Sequence, residues 1–86
     1  SMRPEPEREL VDATRAWLLR ADEDLAAADA VLRGPRSMPN ACTFHAQQAA
    51  EKSLKAFLTW HATTFAKTHS IAELGRACAA IDSSLE

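Results

Sequence analysis

His45, Gln48, Lys52, Lys55 and Thr59 follow one another at spacings of 3, 4, 3 and 4 residues, which places them along one edge of an α-helix. Such an edge has the chemistry to hold a nucleotide or RNA. Lys52 and Lys55 offer ammonium groups that suit phosphate as point charges. Gln48 presents a donor and an acceptor on one amide, and His45 offers a ring nitrogen to a base or ribose. His69, immediately before the start of another helix, is a fifth candidate for the same groove. A solvated stripe is the competing reading of the same edge, with Glu51 and Lys55 paired one turn apart for about 0.3 kcal/mol. Asp24 falls at the rim of an apolar stripe. A half-buried carboxylate needs a partner, so the expectation is a structural ion pair with Lys52 or His45, set against an acid–base role.

Other chemistries find no support. The chain has no Gly-rich phosphate loop, no Ser-His-Asp arrangement and no cluster at metal-ligand spacing, so no catalytic residue, no metal and no cofactor is expected. Cys42 and Cys78 lie 36 positions apart and are expected as reduced, buried thiols. A net charge of −2 gives no overall basic field for non-specific nucleic-acid binding.

Three helices must position these groups. With 86 residues, the chain (residues 1–86) is read as one domain, its first five residues expected to be disordered. Hydrophobic residues make up 47%, with two glycines and no tyrosine, a balance that favours helix. The first helix is predicted from Pro6 or Glu7 to the break at Arg33-Gly34-Pro35, where Gly34 can take the left-handed conformation and Pro35 cannot continue the ladder. Its stripe is Leu10, Thr14, Trp17, Leu18, Ala21, Leu25, Ala28 and Leu32. The second runs from Pro39 to about Ala62, with Cys42, Ala46, Ala49, Ala50, Ser53, Leu54, Ala56, Phe57 and Trp60 on one arc. Trp17 and Trp60 read as core aromatics. The third opens on the capping box Ser70-Ile71-Ala72-Glu73 and continues with Leu74, Cys78, Ile81 and Leu85.

Length then predicts assembly. The third helix is about 20 to 24 Å long against roughly 40 and 36 Å for the first two. It covers only the end near Trp17 and Phe57. Leu25, Ala28, Leu32, Cys42, Ala46 and Ala49 are left as an apolar strip that calls for a partner. The expected architecture is all-α, an antiparallel up-and-down helical bundle of three helices per chain, completed by a twofold dimer through that strip. No apolar run approaches the roughly 20 residues of a membrane span and no signal-peptide pattern opens the chain, so a cytoplasmic location without membrane contact is expected.

Trp17-Leu18 with the run from Ala21 to Ala28, the stretch from Phe44 to Leu58 (FHAQQAAEKSLKAFL), and Thr68-His69-Ser70-Ile71 with Leu74 together resemble the HEPN domains (higher eukaryote and prokaryote nucleotide-binding). The resemblance covers roughly residues 17 to 78 and is most specific in the second helix. It implies a helical, usually dimeric domain of prokaryotic origin. Many members stand beside a minimal nucleotidyltransferase as halves of a toxin–antitoxin pair. Others are metal-independent ribonucleases marked by an arginine followed four to six residues later by a histidine. No arginine of this chain meets a histidine at that distance. Relatives also continue with further helices and a late Arg-Tyr-Pro segment, so the chain is expected to be a truncated or minimal version. The resemblance therefore implies a binding protein paired with a nucleotidyltransferase, with nucleotide or RNA as ligand. A ribonuclease and a nucleotide-sensing regulatory module are the alternatives.

Overall fold

A computed structural model describes residues 5–67 and 70–85. Three helices, α1 (Glu5–Arg33), α2 (Pro39–Trp60) and α3 (Ile71–Ser84), follow in chain order, with no strand among the described residues. None of them is long and apolar enough to cross a membrane.

Each helix end has a local cause. At the close of α1, Arg33 pairs with Asp29 at 2.8 Å and the Gly34 amide donates to the Val31 carbonyl at 3.3 Å. Pro35, which has no amide proton, prevents continuation. Gly34 does not adopt the left-handed conformation open to it, since no glycine has a positive φ. Pro39 begins α2, where its missing amide proton costs nothing. The other end of α2 stops two residues before the Ala62 expected from the pattern. There Ala62 turns left-handed at φ 53°, its amide donates to Thr59 O at 2.9 Å and the Thr63 amide to Leu58 O at 2.9 Å. Those two bonds form a Schellman cap in which alanine occupies the position glycine favours. For α3 the serine cap is present: Ser70 Oγ accepts from the Glu73 amide at 3.2 Å and donates to Glu73 Oε1 at 3.2 Å.

Contacts step down α1 as they step up α2. The Cys42 thiol faces the Ala28 carbonyl, His45 and Lys52 face Asp24, and Lys55 faces Trp17. The two helices therefore run in opposite directions. Ala21, Ala28, Ala49 and Ala56 are buried in the seam, and such small side chains let helix axes approach closely. On the far side of α2, Leu58 and Leu74 are fully buried, and the Cys78 thiol donates to the Leu54 carbonyl at 3.5 Å. Burial pushes that thiol's pKa above its ordinary value. Both cysteines are free. α3 packs on α2 and makes no contact with α1 among the described residues. Phe65, in the loop before α3, reaches Trp17 edge-on instead, with ring centroids 6.1 Å apart.

The single stripe read along α1 divides in two. Ala21 and Ala28 fill the seam, while Leu18, Leu25 and Leu32 stand outside it, half or more exposed. Likewise Ala28 and Ala49, expected at the dimer interface, are already covered within the chain, because the seam needs their small size. Cys42 is half-buried beside them, while Leu25, Leu32 and Ala46 remain exposed. Trp60, expected in the core, is 48% exposed. The result is an extended molecule. Its radius of gyration is 15.3 Å, where a compact domain of this length has about 12 Å. Its accessible surface is 6315 Å², where a folded chain of this mass exposes about 5000 Å².

The left-handed Ala62 gives a direct test. Ala62→Gly removes the clash of Cβ with the carbonyl oxygen and raises unfolding free energy by about 1 kcal/mol. Denaturant melts measure the gain, and a destabilised variant would show that this cap does not hold in solution.

A candidate polar site between the two long helices

Asp24 projects from α1 to the seam with its side chain 16% exposed, and two groups from α2 converge on it. The Lys52 ammonium donates to Asp24 Oδ2. His45 places Nδ1 3.6 Å from Asp24 Oδ1. Helical spacing explains the convergence, because positions 45 and 52 are two turns apart on one face of α2. The pair with Lys52 chiefly holds the Asp24 carboxyl below its ordinary value of 3.8; desolvation opposes this, and His45 adds a smaller pull the same way. Asp24 thus pairs with Lys52, while His45 lies beside the carboxylate without a hydrogen bond to it.

His45 is the chemically open member. Its Nδ1 is buried without a hydrogen-bond partner, whereas the side chain as a whole is 32% exposed. With Nδ1 turned toward the carboxylate, Nε2 is the ring nitrogen left to meet a ligand. Gln48, one turn on and half-buried, makes no hydrogen bond to another described residue. The two side chains therefore present a ring nitrogen and an amide beside the Asp24–Lys52 ion pair.

Lys55 belongs elsewhere. It is 8% exposed, with its ammonium 5.1 Å from the Trp17 ring centroid and 5.8 Å from that of Phe65. Lys55 faces inward rather than along a solvated edge, because two aromatic faces draw the cation inward. Glu51 is not its partner. Arg20 lies over the same Trp17 ring at 5.1 Å. This cluster escaped the sequence reading: Phe65 stands in a loop without periodicity, although Arg20 three residues after Trp17 was a usable signal. Thr59 is half-buried at the end of α2. His69 lies outside the described residues.

A second concavity, of about 360 Å³, opens under the turn between α1 and α2. Val31, Leu32, Met38 and Cys42 give it apolar walls, and Arg36 and Ser37 supply its polar groups. Among the described residues no group of three or more His, Cys, Asp or Glu side chains is placed to hold a metal ion.

The Asp24 shift fixes the sign of a pH effect. A lowered folded-state pKa adds stability that is present above 3.8 and lost as pH falls through the folded value. Asp24→Asn should therefore lower stability at pH 7, with the deficit against the parent shrinking at more acidic pH. Thermal melts from pH 7 to pH 2 test this, and a deficit that stays constant with pH would exclude the ion pair as its source.

Among known proteins, the family model described as the HEPN domain matches residues 14–86. Comparisons with curated proteins and with solved structures return no match.

Proposed function

From the premise that this chain belongs to the HEPN domain family, we propose that it is a binding protein that acts as a twofold dimer, paired with a minimal nucleotidyltransferase in a toxin–antitoxin or related system. The uncovered face of the α1–α2 pair carries this reading. Leu18, Leu25 and Leu32 recur every seven residues on α1 and are all exposed. On α2 the exposed Ala46, Ser53 and Trp60 fall on the same side of the seam. The accessible surface exceeds that of an ordinary folded chain by about 1300 Å², more than the roughly 800 Å² each partner contributes to a standard interface. A second copy laid on that face completes an antiparallel bundle.

The polar side of the same helix pair supplies a ligand edge. His45 and Gln48 hydrogen-bond a base or ribose of a nucleotide or RNA, while Lys52, held by Asp24, keeps the edge rigid and sets its charge. The chemistry of this edge favours recognition through hydrogen bonds over capture of phosphate.

Two measurements test these roles separately. Leu25→Glu, at the middle of the exposed row, places a charge in the interface without touching the seam, and should give a folded monomer by circular dichroism and sedimentation. A dimer of unchanged affinity would remove this face from the assembly. The double variant His45→Ala/Gln48→Ala should bind a short single-stranded RNA at least tenfold more weakly by fluorescence anisotropy, with dimerisation intact. Equal affinity would end the ligand-edge assignment.

A further inference from the structure

We propose that Trp60 of each copy seats in the cavity under the α1–α2 turn of the other, which fixes the register of the dimer; this rests on the dimer reading above.

Trp60 is the last residue of α2, immediately before the left-handed cap, and its ring is half exposed. An exposed tryptophan on a capped, rigid helix end loses little freedom on binding, which is the character of an interface anchor. At the opposite end of α2 lies the cavity of about 360 Å³, at the small end of the range for ligand pockets. Leu32 and Cys42, two of its walls, lie on the same side of the helix pair as Trp60 and the exposed leucines. Arg36, without an ion-pair partner among the described residues, can stack on an indole face, and Met38 brings a thioether to its edge.

The spacing satisfies a twofold axis. Cys42 and Trp60 are 18 residues apart, about 27 Å along the helix, so an axis level with residue 51 exchanges the two ends. Near that level the exposed side chains of α2 are Ala50 and Ser53, small enough for two helices to cross closely. The Cys42–Trp60 spacing and the small exposed residues at its midpoint are thus compatible with one twofold axis, as an isologous interface requires.

The native thiol in the cavity wall provides the test. In a chain carrying Cys78→Ser and Trp60→Cys, mild oxidation with oxidised glutathione should give a covalent dimer whose peptide map joins position 60 to Cys42. The same link within one chain is impossible, because about 27 Å of helix separates positions whose Cα atoms a disulfide holds about 6 Å apart. Dimers that link only 60 to 60 or 42 to 42, or that do not link, overturn the seating while leaving the dimer standing. A parent chain that sediments as a monomer at every concentration removes both. Should loss of the indole itself dissociate the thiol variant, alkylation of Cys42 in the Cys78→Ser chain decides. Its rate should fall at least tenfold from dilute monomer to dimer, and a rate independent of concentration overturns the seating. Trp60→Ala is expected to weaken dimerisation by about thirtyfold.

Discussion

Ala21 and Ala28 on α1 and Ala49 and Ala56 on α2 are buried, and the small size of these side chains governs the rest of the molecule. Two axes drawn together by methyl groups leave no room in the seam for leucine. Leu18, Leu25 and Leu32 are turned to the outside as a result, and the charged groups flanking the seam are brought within reach of one another. The tight pair is therefore the common cause of the uncovered apolar face on one side and of the Asp24 cluster on the other.

A seam made of alanine stabilises little by area. Each fully buried leucine is worth about 2 kcal/mol, and Leu58 and Leu74 are the two large side chains that reach full burial. Both lie between α2 and α3, so the longest contact in the chain is the poorest in buried hydrocarbon. Specific polar and cation–π contacts supplement it at intervals: Asp24 with Lys52, and Lys55 with Trp17 and Phe65. Burying a second copy's leucines against the exposed alanines would supply the hydrocarbon contact that the isolated chain lacks.

Periodicity revealed the three helices because it reports which residues share a face. The breaks at Gly34-Pro35 and Ser70 were equally plain, since cap chemistry is local. Asp24 could be paired with Lys52 or His45 from the sequence because an isolated acid on an apolar rim has few ways to be satisfied. What periodicity could not do was divide a broad stripe between two neighbours. Trp60 was assigned to the core and Ala28 to the interface because the turn's geometry, absent from the pattern, decides which arc faces inward. Lys55 was misplaced for a related reason. Its wet-looking position on the helical wheel is roofed by Phe65, and a loop residue has no wheel. HEPN membership, by contrast, was legible from the second helix, where many positions matched at once.

Among the described residues α3 packs on α2, and the loop before it meets α1 through the Phe65–Trp17 ring contact. Displacing α3 would uncover Leu58 and Leu74 and break the Cys78–Leu54 hydrogen bond while sparing the contacts between the long helices and their polar cluster. In such an architecture the third helix is the segment most readily lent to, or replaced by, a neighbouring polypeptide.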